Sequence, residues 1–294
     1  MKYSKKTASE ITFDWIKTIL IAIVIAVLIR GSVGEIMAVP TPSMVPTIKP
    51  WDIFVVDKLE YRFFRQPDYG DIIVFWSPFT DKQAMKMLTP IDRLFIPFTA
   101  DRFRNKVRFV KRLVAKPGDT VMIGYDNRLY VNGKVVLKDV KYMEHFKIRT
   151  KVLKYGIEGE FADSDFWRKA FNADKMTPQQ KENILKEARA IYPMIKLDSK
   201  IYSKFMNLNV LYGFANGDYI YDKEYVRKLE PLLNNAILSK SEPIKIKIPK
   251  GYYLAFGDNT AESLDSRYFS LVPKSFILGR VVLNLLPVDR FGLR

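Results

Sequence analysis

The sequence predicts a mainly β protein held at a membrane by one N-terminal apolar segment and interrupted by a helix-containing insertion. Three observations carry this. Short runs rich in β-branched and aromatic residues recur on both sides of a central stretch. An Asn132-Gly133 pair sits between two such runs, where a two-residue hairpin turn needs positive φ. A run of isoleucine and valine near the N-terminus is apolar on every helical face, which a soluble helix rarely is.

That run, Thr18 to Ile29, is twelve uncharged residues, whereas a bilayer core calls for roughly 20. Trp15, Ile16 and Lys17 extend it on one side, and Arg30 with Gly31 to Val33 on the other. Lys17 and Arg30 can snorkel to opposite headgroup layers, and Trp15 suits the interface. A cleavable leader is the competing reading, because Lys2, Lys5 and Lys6 precede the run, but no clear Ala-x-Ala site follows it. Residues 1–34 are therefore expected to be a cytoplasmic N-terminus and a single anchor, with everything after Arg30 outside.

Strands are expected at Asp52 to Asp57, Asp71 to Phe75, Val107 to Val114, Thr120 to Ile123, Tyr252 to Phe256 and Phe276 to Leu285, with a hairpin over Arg128 to Val136. Residues 138–244 read differently and are expected to be an insertion. Thr177-Pro-Gln-Gln180 carries an N-cap, a proline at the first helical position and a glutamine at the third, predicting a helix to about Tyr192. A second helix is expected from about Asp222 to Leu238, broken or kinked at Pro231. Residues 76–105 form a shorter expected insertion, rich in Met85, Met87, Phe95, Phe98, Lys82 and Lys86; lipid contact and ordinary loop packing both fit it.

Composition narrows the chemistry. With no cysteine, disulfides, thiolate nucleophiles and Cys-ligated zinc are excluded. The single histidine, His145, cannot build a multi-histidine metal site, and no triad segment surrounds it. The net charge of +16 attracts either nucleic acid or anionic lipid. No nucleic-acid-binding signature is present, so membrane proximity is the better reading.

A serine hydroxyl needs a base to remove its proton. With no usable histidine and no cysteine, lysine is the natural remaining base, and it must be neutral, which burial favours. Lys111 fits, sharing one face of a strand with Phe109 and Leu113 while Val110, Arg112 and Val114 point the other way. Alternatively it is a surface lysine on a half-exposed strand. Ser43 lies among Pro40, Pro42 and Pro46, which pin it in an extended or turn conformation or mark a proline-rich linker.

Four segments, taken in order after the apolar run, settle this choice: Pro40 to Thr47 (PTPSMVPT), Gly70 to Phe75 (GDIIVF), Arg108 to Asp119 (RFVKRLVAKPGD) and Gly257 to Tyr268 (GDNTAESLDSRY). Together they resemble bacterial signal peptidase I over residues 11–137 and 245–294. The resemblance implies an antiparallel β catalytic domain at 35–137 and 245–294. It implies a Ser/Lys endopeptidase that removes signal peptides from exported preproteins at the bacterial cytoplasmic membrane, as a monomer without cofactor or metal. Ser43 would be the nucleophile and Lys111 the general base. Ser263 would hydrogen-bond the lysine amine, Gly257 would leave the lysine room, and Asp265 and Arg267 would pair near the site. Thr41 and the Ser43 N–H would serve the oxyanion. Val39 and Val110 would line shallow pockets for small side chains. Without the resemblance, Gly257 to Asn259 reads as a turn and Asp265/Arg267 as a weak surface pair.

The chain departs from the family's common pattern at Pro42, at Thr260-Ala261-Glu262 and at Ala115, and no catalytic group is lost. Two rivals remain: a self-cleaving repressor of related fold, against which the apolar N-terminus speaks, and an inactive membrane-tethered β-domain binding lipid or envelope proteins.

Overall fold

The computed structural model describes residues 7–82, 85, 93, 99–104, 106–123, 128–138, 140, 177–179, 219–236 and 245–294. The expected helix from Thr177 to Tyr192 beyond Gln179, His145 and most of the two expected insertions lie outside them.

The apolar run forms helix α1, Ala8–Ser32, longer at both ends than the run alone. Thr7 caps it, its hydroxyl accepting from the Glu10 N–H while the Glu10 carboxylate takes the Thr7 N–H, a complete capping box. At 25 residues it is about 37 Å long, enough to cross a hydrocarbon core of about 30 Å. None of its side chains is buried in the fold, and Phe13, Trp15 and Leu28 are strongly exposed.

The chain then enters β1 (Gly34–Ala38), β2 (Ile53–Asp57), β3 (Ile72–Asp81), β4 (Lys106–Ala115), β5 (Thr120–Ile123), β6 (Leu129–Val131) and β7 (Lys134–Leu137). After the described gap come β8 (Tyr219–Tyr221), helix α2 (Lys223–Ala236), β9 (Lys245–Lys247), β10 (Tyr252–Phe256), the short helix α3 (Ser266–Phe269), β11 (Val272–Pro273), β12 (Ile277–Leu286) and β13 (Gly292–Leu293). One large sheet runs β1-β2-β12-β3-β4-β10-β11, with β13 on β12 and β8 on β3; a smaller one runs β7-β6-β5-β9. Among the described residues every pairing is antiparallel. Asn132 (φ 51°) and Gly133 (φ 78°) make the expected hairpin turn between β6 and β7.

Strands β1, β8, β9, β11 and β13 and helix α3 go beyond the expected elements, and three departures have a clear physical cause. Strand β1, with Gly, Glu and Ala in five residues, has little β propensity and forms because β2 pairs along its full length. Strand β3 runs on to Asp81, because Thr80 pairs with Lys106 and residues 79–81 pair with β8; the loop expected from residue 76 starts later. Helix α2 continues through Pro231, which lies on its exposed side. Its opposite side buries Tyr225 and Leu229 in the core, one turn apart, and the Tyr225 hydroxyl reaches the carbonyls of Phe269 (2.5 Å) and Leu271 (2.8 Å). This part of the 138–244 stretch is thus built into the β core.

Among the described residues, two apolar clusters stabilise the fold. The larger gathers Ile73, Phe75, Phe79, Leu113, Val114, Phe256 and Phe269. Both Leu113 and Val114 join it because the β4–β10 register slips between Leu254 and Ala255. The smaller holds Val39, Met44, Ile48, Phe54, Val56, Ile72, Val74, Val110 and Val281. On the open face of the sheet, cross-strand pairing lines up Ile36, Val55, Leu283 and Leu293, and beside them Ala38, Ile53 and Leu286. Ile36 (64%) and Leu293 (85%) are largely exposed, so this face is apolar and uncovered among the described residues.

Candidate active site

Ser43 sits in a single helical turn, Pro42–Met44, that follows β1 and Val39. Pro42 opens the turn, a position where its missing N–H costs nothing and its fixed φ helps. That explains why a proline can precede the serine. The wholly buried Met44 anchors the turn in the smaller cluster. From the other side, the Asn259 N–H donates to the Ser43 carbonyl (3.1 Å) and Asn259 Nδ2 to the Pro42 carbonyl (3.3 Å). Asn259 in turn holds Glu262 through Nδ2 and through its own carbonyl, so Thr260-Ala261-Glu262 forms a closed turn.

Lys111 lies mid-strand in β4, opposite Ile73 of β3 and next to the Arg112–Phe256 pair with β10. Its Nζ is 2.9 Å from Ser43 Oγ, 2.8 Å from the Val110 carbonyl and 5.4 Å from the Phe109 ring centre. Both side chains are buried. Burial pushes the ammonium down to about 8; Asp265 and Asp258 oppose this and the charge of Arg267 adds to it. At pH 7 about one lysine in ten is then neutral. A surface lysine this is not.

The fourth segment wraps this pair. A Cβ on Gly257 would lie 2.4 Å from the Ser43 carbonyl and 2.2 Å from Ser263 Oγ. The space glycine leaves is therefore taken by Ser263 and the nucleophile's own backbone, not by the lysine. Ser263 is fully buried; its hydroxyl meets no partner in good hydrogen-bond geometry, though it lies close enough to Asp265 to help lower that carboxyl. The expected Ser263–lysine hydrogen bond is not made in this geometry, because Lys111 Nζ is directed to Ser43 and Val110.

Asp265 and Arg267 are wholly buried, not a surface pair. Arg267 donates through Nε and Nη2 to the two carboxylate oxygens at 2.8 Å each, and Asp265 also accepts from the Gly257 N–H (3.0 Å) while capping α3. Burial alone would raise the Asp265 carboxyl, but the charge and hydrogen bonds of Arg267, with the Gly257 N–H, hold it below its usual range. Arg267 Nη2 further reaches the Ser263 carbonyl (3.2 Å) and so fixes that loop.

Arg112 is a site residue that the motif reading passed over. Its guanidinium grips Asp258 with two bonds of 2.7 Å, the Gly70 carbonyl at 2.8 Å and Thr47 Oγ1 at 3.2 Å. One side chain of the third segment thereby ties down the other three. The forked donor geometry of arginine makes this possible.

Thr41 is exposed, with Oγ1 3.4 Å from Ser43 Oγ. Val39 and Val110 are both buried in the smaller cluster with Met44, on the apolar side of the serine turn. Among the described residues no group of histidines and carboxylates could hold a metal ion.

The chain is similar to known proteins along most of its length. The family described as "Signal peptidase, peptidase S26" matches residues 12–286. The chain is 24% identical over 293 residues to the probable signal peptidase I-2 of Synechocystis sp., covering 99% of this chain and 82% of that one. It is 26% identical over 257 residues to signal peptidase I of Buchnera aphidicola subsp. Schizaphis graminum, covering 87% and 69%. With signal peptidase I of Bacillus amyloliquefaciens it shares 29% over 158 residues, 54% of this chain and 67% of the other. The match takes in α1 from residue 12 onward, both halves of the β core and all four motif segments, and the chain belongs to the signal peptidase family, peptidase S26.

Proposed function

We propose that this chain is a membrane-anchored endopeptidase that cleaves signal peptides from exported preproteins after a small-x-small triplet, using Ser43 and Lys111. One observation carries the reading: a buried lysine, pushed down to about 8, stands 2.9 Å from a buried serine hydroxyl in a family of peptidases.

In the forward step the neutral Lys111 amine takes the Ser43 proton while Oγ bonds to the scissile carbonyl carbon. The carbonyl oxygen becomes an oxyanion, for which the Ser43 N–H and the Thr41 hydroxyl are the donors. Collapse breaks the C–N bond, and the lysine ammonium returns its proton to the departing amine. Water then attacks the acyl-enzyme, Lys111 taking its proton, and the ester bond breaks as the ammonium returns that proton to Ser43 Oγ. An extended substrate would add to a strand edge beside the site. Val39 and Val110, packed under the serine turn, would floor pockets too shallow for large side chains.

The family is membrane-anchored, and α1 suits that role. In this reading its N-terminus is cytoplasmic and the β domain lies outside the cytoplasmic membrane of a bacterium. The apolar sheet face bearing Ile36 and Leu293 would rest on phospholipid. The enzyme would act as a monomer, on preproteins and not on nucleic acid.

The test is cleavage of a purified preprotein in lipid by wild type and Ser43→Ala, with the new N-terminus sequenced. A single cut after a small-x-small triplet, lost in the variant, is expected. Equal cleavage by both would remove Ser43 as nucleophile, and a folded wild type inert on several preproteins would favour the binding-domain reading.

A further inference from the structure

Where α1 meets the sheet, a buried carboxylate collects three cations. Glu35 of β1 accepts from Arg30 Nε (3.1 Å) and Arg108 Nη1 (2.8 Å), and Lys58 Nζ lies 3.5 Å away. Its side chain is 3% exposed. Arg30 belongs to the last turn of α1, Lys58 follows β2, and Arg108 lies on β4, the strand that carries Lys111.

The backbone is drawn together at the same place. Lys58 Nζ donates to the Arg30 carbonyl (2.6 Å), satisfying one of the acceptors left open at the helix end. The Lys58 N–H donates to the Val33 carbonyl (3.0 Å). Gly34, the first residue of β1, lies so close to β2 that a Cβ would meet the Val56 carbonyl at 2.6 Å. No flexible linker separates anchor from catalytic domain; the connection is one residue long and cross-braced.

We propose that Glu35 is a positioning residue: with Arg30, Lys58 and Arg108 it forms a rigid joint that fixes the β domain relative to the anchor helix, and so sets the depth at which Ser43 meets a membrane-inserted precursor. The inference rests on the peptidase reading above. It makes the carboxylate matter for substrates presented by the membrane and not for short peptides, which reach the site from solution in any orientation. The basic partners cannot hold the joint alone. Without the carboxylate they would repel one another in a buried space, and burial with the charges of Arg108 and Arg30 already opposes Glu35 in keeping Lys58 charged.

The test uses the full chain in vesicles of phosphatidylethanolamine and phosphatidylglycerol, with two substrates: a membrane-inserted precursor and a short soluble peptide of the same cleavage sequence. Glu35→Gln removes the centre of the joint. Arg30→Gln removes only the side-chain ion pair from the helix and leaves the Glu35–Arg108 pair intact, so it serves even where Glu35→Gln folds poorly. Because misplacing reacting groups by an ångström costs on the order of 100-fold, kcat/KM on the precursor should fall at least about tenfold in Arg30→Gln. On the peptide it should change less than about twofold, since the dyad itself is untouched. Some product should be cut at a displaced bond, and Arg30→Lys should restore most of the precursor rate. Equal losses on both substrates, or no loss on either, would overturn the joint. A wild type inactive on both substrates would instead refute the peptidase reading, a distinct result.

Discussion

Gly257 rests against the carbonyl of Ser43, where a single added carbon would come within 2.4 Å of the oxygen. The nucleophile's position is thus set by the end of a strand more than two hundred residues further along the chain. Gly257→Ala must push back either Ser43 or Ser263, both fixed by hydrogen bonds or burial. Overpacking of this kind costs about 1–3 kcal/mol. Moving the serine by an ångström costs on the order of 100-fold in rate. Steady-state kinetics beside thermal denaturation should show activity falling much further than stability.

Lys111 should cost stability as well as confer activity. Its folded pKa of about 8 lies below the ordinary value of 10.5, so between these the unfolded chain binds more protons. Stability therefore rises with pH from about 8 to about 10.5, and below pH 8 the full penalty stands, on the order of 3 kcal/mol. Lys111→Met should be inactive, more stable than wild type at pH 7, and without that rise. Denaturant unfolding of both proteins across this range measures it.

The Asp265–Arg267 pair predicts strong non-additivity. Arg267→Met strands a buried carboxylate and should cost about 3–5 kcal/mol. Removing Asp265 as well should return part of this, so the double variant is more stable than the sum of the single losses allows. A double-mutant cycle by chemical denaturation gives the coupling.

What could be read in the sequence follows from range. Strands such as Asp52 to Asp57 and Tyr252 to Phe256 were legible because their own residues favour a pleated surface. Ser43 and Lys111 were legible through segments whose residues stand near them in sequence. Contacts made across the chain were not. Nothing local in Arg112 says that it grips Asp258, Gly70 and Thr47, nor in Asn259 that it holds the Ser43 carbonyl. Asp265 and Arg267 could be placed as a pair near the site only through the resemblance; by themselves they read as a surface pair, because charged residues seldom lie fully buried, and the fold encloses them beneath the site. Strand β1, poor in β formers, exists because β2 recruits it.

The central claim is that burial makes Lys111 the base for Ser43, and the pH dependence of kcat/KM on a soluble peptide tests it most directly. Protonated lysine cannot accept the serine proton, so the rate should climb with pH along a single limb of apparent pKa near 8. A limb near the free-lysine value, or a rate flat from pH 6 to about 10, would contradict the account.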